Sequence, residues 1–427
     1  MKTKLTNAKR LTSSNELENC EVVIENGKII KIAPEVTEQA DKTINGNNNL
    51  LTPGFIDVHI HLREPGGEYK ETIATGTQSA ARGGYTTVCN MPNTNPVPDS
   101  EGTLEKLLQK IEEDAVVRVL PYASITKGLK GEERTDIKAL FEQGAFAFTD
   151  DGVGIQTANQ MFQAMKEAAA CGAAIVAHCE DNSLVYGGVT HDGEVSKRLN
   201  LPGIPSLSES VQIARDVLLA EAADCHYHVC HVSTKESVRI IRDAKKAGIK
   251  VTAEVSPHHL ILNETDILEN DANFKMNPPL RGKDDQDALI EGLLDGTLDF
   301  IATDHAPHGE EEKANGFLEA PFGIVGLETA FPLLYTHLVQ KNVLNLHELI
   351  DRMTKKPADV FGLPYGTMEE GAPADLTLVD LEKTAKIDRY QFASKGKNTP
   401  FHGWEVTGFP VMTMVNGKVV FEEGNNA

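Results

Sequence analysis

Asp57-Val-His-Ile-His-Leu-Arg63 ends the apolar run that begins at Leu50, and its reading decides the fold. As a strand, its two-residue period puts Asp57, His59, His61 and Arg63 on one face and Val58, Ile60 and Leu62 on the other. Two imidazoles at i and i+2 on a rigid strand are a pre-oriented start to a metal site, because imidazole is the commonest protein ligand for transition metals. Alone, such a pair is better explained as packing or surface. Its company changes that: Asp150 and Asp151 follow Gly144-Ala-Phe-Ala-Phe-Thr149, His178 follows Ala173-Ala-Ile-Val-Ala177, His231 follows His226-Tyr-His-Val-Cys230, and Asp304 follows Asp299-Phe-Ile-Ala-Thr303. Each stands at the C-terminal end of its run, and in a (β/α)8 barrel of TIM type those ends share one face. Four His and two or three Asp on one rim describe a pocket for two divalent metals.

Strand-like and helix-like runs alternate through the middle of the chain, the signature of a parallel sheet with crossover helices. Strands are expected near 55–62, 86–91, 116–123, 145–149, 173–178, 226–232, 250–255 and 299–304, with helices between them and one more at 327–339. Ser100 and Thr234 are helix-start signals. The chain of 427 residues exceeds the roughly 250 that such a barrel uses, so a second, smaller domain is expected. Both ends are β-like: Glu21-Val-Val-Ile-Glu25 and Lys28 to Ala33 flank Asn26-Gly27, and Met412 to Phe421 contains Asn416-Gly417, both strong hairpin signals. The division expected is a composite β domain of residues 1–53 and 366–427 around a catalytic barrel of 54–365.

A net charge of −22 and a pI near 5.1 argue against nucleic acid and anionic membrane surfaces as partners. The polar N-terminus and the lack of a long apolar segment point to a cytoplasmic protein with no membrane span. Six Cys without Cys-x-x-Cys spacing read as reduced packing residues, and the strand pleat should turn Cys179 and Cys230 away from His178 and His231. Residues 90–98, rich in Asn and Pro, read as an ordered loop. Residues 309–326 read as a long polar lid over the mouth of the barrel.

Taken together, Asp57-x-His-x-His-Leu-Arg-x-Pro-Gly66, Asn90-Met-Pro-Asn-Thr94 and Ala302-Thr-Asp-His-Ala-Pro-His308 with Lys313 beyond it resemble the dihydroorotases of the cyclic amidohydrolase superfamily. The resemblance implies a metal-dependent barrel enzyme that reversibly closes N-carbamoyl-L-aspartate to (S)-dihydroorotate in pyrimidine (UMP) biosynthesis. It assigns His59, His61, Asp151, His178, His231 and Asp304 to two Zn2+ ions, other divalent ions being possible. It assigns His61, Arg63, Asn93, Asn277, His308 and the Phe322-Gly323 backbone to substrate. Many relatives bridge their metals with a carboxylated Lys at the fourth strand end, where this chain has Asp150-Asp151. It is similar to the subgroup in which an Asp takes that place, and the match puts the bridge at Asp151.

Two metal ions can share a water that loses its proton near neutral pH and can also stabilise the oxyanion of amide hydrolysis. Asp304 is then expected as the general acid and base, Arg63 as a two-pronged clamp for the substrate's free carboxylate and Asn93 as an added amide donor. Asp57 is expected to hydrogen-bond behind the ligands. His226, His228 and His305 read as structural or surface residues, His258 and His259 as neighbours of the site, and Glu310 to Glu312 as a solvated face. Two other functions compete: another cyclic amidohydrolase, allantoinase or hydantoinase, or a non-catalytic scaffold for aspartate transcarbamoylase. A homodimer and association with that transcarbamoylase complete the expectations.

Overall fold

Asn26-Gly27 and Asn416-Gly417 each place two consecutive residues at positive φ (52° and 76°, 47° and 77°), the backbone a two-residue hairpin turn requires. In the computed structural model, which describes residues 2–424, they join Leu17–Glu25 to Lys28–Ala33 and Glu405–Val415 to Lys418–Glu422. The two turns abut: a Cβ on Gly27 would lie 2.9 Å from the Asn416 carbonyl oxygen. Both hairpins belong to one eight-stranded sheet. Its order is Lys418–Glu422, Glu405–Val415, Leu376–Lys386, Leu50–Pro53, Lys2–Leu11, Leu17–Glu25 and Lys28–Ala33, with Lys42–Asn45 also on Lys2–Leu11. Leu50–Pro53 therefore lies between the N-terminal and C-terminal strands and leads directly into Phe55–Ile60.

The expected (β/α)8 barrel is present. Phe55–Ile60, Tyr85–Asn90 and Arg118–Pro121 form one parallel ladder; Ile175–Ala177, Tyr227–Val229, Val251–Val255 and Phe300–Ile301 form another. Phe148 bridges the two, pairing with Ala123 on one side and Ile175 on the other, so residues 145–149 are the fourth stave. The remaining gap is closed by the pairing of Ile60 with His305, where His61 N–H donates to the His305 carbonyl at 2.9 Å. Thr157 and Thr234 cap helices Ala158–Cys171 and Lys235–Lys246 by accepting from Gln160 N and Ser237 N, satisfying amides that a helix start leaves open.

The period-two reading of the first strand fails at one point. Its pairing with Tyr85–Asn90 slips between Asp57 and Ile60, the mark of one extra residue on this strand. Ile56 and Val58 face the barrel interior with Tyr122, Val176 and Phe300, whereas Ile60 and Leu62 pack with Ile73 and Ala80 in the helix layer. Asp57 consequently does not share a face with His59. Residues 309–326 also differ from the expected structureless lid. They contain the helical turns Glu310–Lys313 and Gly316–Glu319, and Phe317 is buried with Ile324, Leu333, Ile387 and Phe401.

Candidate functional site

Among the residues singled out in the sequence, His61, Arg63, Asn93, Asp151, His178, His231, Asn277, Asp304, His308, Phe322 and Gly323 line one cavity of about 330 Å³ at the C-terminal rim. His59 lies beneath its floor, fully buried. Ligand-type atoms of His59, His61 and Asp151 lie within 4.8 Å of one another, as do those of Asp151, His178 and His231, and those of His59, His231 and Asp304. Asp151 belongs to two of these groups, and its two oxygens lie 3.5 Å from His59 Nε2 and 3.7 Å from His61 Nε2. His59 Nε2 is 3.5 Å from Asp151 and 3.4 Å from Asp304; His61 Nε2 is 3.0 Å from Asp304. His178 Nδ1 and His231 Nε2 are 3.0 Å apart. Two donors on one tetrahedral cation at about 2.05 Å sit about 3.3 Å apart, so the spacing suits ligands of one ion.

The donor set fits divalent metal on a second count. Buried His59 Nε2, His231 Nδ1, His61 Nδ1 and Asp151 Oδ1 have no hydrogen-bond partner. Buried polar atoms are nearly always paired; of these four, His59 Nε2 and Asp151 Oδ1 lie 3.5 Å apart among the candidate ligands, two facing orphans that one cation would satisfy. Backbone strain concentrates here too: Arg63, His231 and Asp304 take φ of 60°, 28° and 47°, a region that L-residues seldom occupy and that clusters at functional sites.

Glu254, unremarked in the sequence, organises the floor. His59 Nδ1–H donates to its Oε1 at 2.6 Å, His228 Nε2–H donates to Oε2 at 3.1 Å, and His231 N–H reaches Oε1 at 3.3 Å. Burial opposes its charge, but His59 and His228 outweigh burial and hold the carboxyl at about 2. A carboxylate on Nδ1–H fixes the tautomer that points the Nε2 lone pair of His59 into the site. The signal in the sequence is a lone Glu inside Val251–Val255, a strand otherwise free of charge. Glu254→Gln should lower metal affinity by about 10- to 100-fold while the fold is kept. Titration of the metal-free variant with zinc, with circular dichroism as control, checks this, and wild-type affinity would refute it.

Of the two readings of His228, structural or surface, the structure bears out the structural one: it is buried as Glu254's second partner and stacked on Phe300 with ring centroids 5.2 Å apart. Cys230 is also displaced from expectation: its side chain groups with His59 and Glu254. The strand ends at Val229 and the backbone turns at His231, so alternation no longer governs where the thiol points. Cys179 instead lies 3.0 Å from the Tyr227 hydroxyl, and all six cysteines are free. Asp57 accepts from His59 N and Thr303 N, which ties the first and eighth staves together, and burial pushes it up to about 7. Asp150 accepts from Ile125 N, Thr126 N and the Thr126 hydroxyl, and so holds the third-stave loop. His259 bonds Ser256 Oγ and the Pro278 carbonyl, and neither it nor His258 falls in a ligand group among the described residues.

The remaining wall is polar. Arg63 Nε donates to the Pro307 carbonyl at 3.3 Å. The His308 ring is placed by Lys70, whose ammonium donates to Nδ1 at 3.1 Å, which leaves Nε2–H to donate to the Phe322 carbonyl at 2.8 Å. Burial, then Arg63, Lys70 and Lys313, push His308 down to about 2, so it is neutral. Asn93 spends one amide N–H on the Asp151 carbonyl at 2.8 Å, and its buried Oδ1 is unpartnered, so it presents an acceptor as well as the expected donor. Asn277 Nδ2 donates to Glu180 at 2.8 Å and lies 3.3 Å from His178 Nε2. Gly323, at φ 147°, has no room for a side chain, since a Cβ would lie 2.7 Å from the Ala306 carbonyl oxygen. Asn398, for which the sequence offers no signal, accepts from His308 N and donates to the Ala306 and Gly323 carbonyls.

A family profile described as Dihydro-orotase-like matches residues 48–237, and one described as Amidohydrolase family matches 322–421. The dihydroorotase of Listeria innocua is 64% identical over 422 residues, 99% of each chain; that of Geobacillus sp. strain WCH70 is 62% identical over 421 residues, 98% of this chain and 99% of the relative. Among solved structures, the L-hydantoinase (dihydropyrimidinase) of Arthrobacter aurescens superposes with a TM-score of 0.89 at 28% identity, covering 99% of this chain and 96% of that one. Shared fold with a hydantoinase at 28% is far outweighed by full-length identity of 62–64% to dihydroorotases, so the hydantoinase alternative is not favoured. The chain belongs to the dihydroorotase family of the amidohydrolases.

Proposed function

We propose that this chain is a dihydroorotase, catalysing the reversible closure of N-carbamoyl-L-aspartate to (S)-dihydroorotate in pyrimidine biosynthesis. One observation carries the reading: a single cavity gathers two imidazole clusters that share Asp151, with Arg63, Asn93, Asn277 and His308 around them. His59, His61, Asp151, His178, His231 and Asp304 would hold two divalent ions, zinc being the best match to this donor set. Bound there, the ions supply an activated water and an electrophile for the amide carbonyl.

Ring opening converts dihydroorotate and water into N-carbamoyl-L-aspartate, which carries one more carboxylate, and releases one proton. Asp304 is the group placed to handle protons in transit, receiving one from the attacking water and giving it to the departing ring nitrogen. In closure it takes the proton from the carbamoyl nitrogen as that nitrogen attacks the β-carboxylate. Arg63 binds the carboxylate that does not react, its planar fork matching two oxygens. Neutral His308, held by Lys70 and Phe322, keeps a second positive charge from crowding Arg63. The division proposed is a catalytic barrel of 54–365 that carries this chemistry and an accessory β domain of 1–53 and 366–427, of which residues 2–53 and 366–424 are described. No helix among the described residues is long and apolar enough to cross a membrane. A cytoplasmic homodimer, with or without aspartate transcarbamoylase, is the assembly proposed, and sedimentation of the chain alone and with that enzyme tests it.

The deciding experiment measures metal per chain together with turnover of dihydroorotate. Two ions and turnover support the reading; metal without turnover favours a scaffold, and fewer than one ion in active protein rules out the two-metal site. Arg63→Ala should raise KM for dihydroorotate by about 10- to 100-fold, the range of one charge-assisted hydrogen-bonded contact, with metal content unchanged. Steady-state kinetics check this, and an unaltered KM would remove Arg63 from the substrate site.

A further inference from the structure

Residues 320–323 lead Pro321, Phe322 and Gly323 along the wall of the cavity, and side chains engage every carbonyl of the segment. Lys275 Nζ donates to Ala320. Lys313 Nζ donates to Pro321 at 3.0 Å and to Gly323 at 3.1 Å, His308 donates to Phe322, and Asn398 adds a bond to Gly323 at 3.0 Å. Lys313 makes a third bond, to the Lys275 carbonyl at 3.1 Å, which also accepts from Gly323 N at 3.0 Å. The Lys275 ammonium lies 4.5 Å from the centre of the Phe322 ring. The two lysines are 3% and 6% exposed, and their described hydrogen bonds go to carbonyls, not to carboxylates.

Burying an ammonium is unfavourable unless its hydrogens are matched, and two beside each other add repulsion. Burial, then Lys275, pull Lys313 down to about 7. Three carbonyls at hydrogen-bond distance need three N–H groups, which only the ammonium form offers. An apolar side chain would pack this place without those penalties. What the ammonium groups add is direction: they fix each peptide plane of a loop that has no strand or helix to fix it.

We propose that Lys313 and Lys275 are positioning residues, holding the backbone of 320–323 in the form that receives the substrate ring. Lys313 sets Pro321 and Gly323; Lys275 sets Ala320 and the Phe322 ring. The inference rests on the dihydroorotase reading and deepens it.

The test compares wild type with Lys313→Met and Lys275→Met, reading metal content, thermal midpoint, kcat and KM with dihydroorotate and with N-carbamoyl-L-aspartate. Each folded variant should keep wild-type metal and raise KM for both substrates by about tenfold or more, with kcat changed by less than about threefold. A KM within about twofold of wild type, or a loss confined to kcat, overturns the proposal. Hydrogen–deuterium exchange on wild type decides it if neither variant folds. Peptides spanning 318–326 should be protected to the same degree with and without saturating dihydroorotate; protection that appears only with ligand means the segment is not held in advance. Wild type that fails to turn over dihydroorotate refutes the assigned function, whereas active wild type matched by both variants refutes this inference alone.

Discussion

Asp304→Ala should lose at least about 10² to 10⁴-fold in turnover in both directions, the usual contribution of a positioned general acid or base. It is also within ligand distance of His59 and His61, so the loss exceeds that of a pure proton carrier. The pH profiles carry the argument further. Burial pushes Asp304 up to about 8, with Asp151 raising it and His59 opposing. Such a carboxyl is protonated at neutral pH until a nearby cation favours its charged form, so in metal-loaded enzyme its apparent pKa lies below about 8. Ring opening needs the carboxylate, so its rate should rise with pH through that value. Ring closure consumes a proton and should slow as pH rises. Steady-state rates of both reactions from about pH 6 to 9 test this. An Asp304→Ala protein with its full metal content and near-normal turnover would make His308 the next candidate.

Asp151→Asn should fold yet fail to retain metal, losing more than the about 10- to 100-fold that residues behind the ligands contribute. The reason is the sharing: Asp151 sits in both clusters, and an amide cannot neutralise two cations as a carboxylate does. Activity should be abolished by chelation and should not depend on bicarbonate, since no lysine carbamate has to form. Metal analysis and assays in carbon-dioxide-depleted buffer check both points. Full metal and activity in Asp151→Asn would shift the role to Asp150, which the structure shows engaged with Ile125 and Thr126.

The barrel was legible because each stave announces itself by an apolar run and each run ends in a residue that carbon-only packing does not want. The six candidate ligands were legible for the same reason, and the structure brings their atoms together. Asp57 and Cys230 were misread together, by one assumption. Strict alternation was carried through the bulge between Asp57 and Ile60 and past the end of the strand at Val229, and neither break leaves a compositional mark. Glu254 was missed because its partners His59 and His228 are 195 and 26 residues away, and nothing local states that its two oxygens serve them both. The loop of 309–326 looked structureless because its order comes from buried lysines and Phe317 rather than from periodicity.

Asn398 sits on the excursion between Leu376–Lys386 and Glu405–Val415, yet it holds His308 and Gly323 on the barrel rim. Phe401, from the same stretch, and Val406, at the start of the strand that follows it, pack in one cluster with Ile324 and Phe317. During synthesis the barrel's staves and all six candidate ligands are therefore made well before the stretch that completes the substrate wall. A growing chain that has passed residue 365 but not 398 still lacks the groups that fix its ring-binding face, so the substrate wall is the last part of the site to be made.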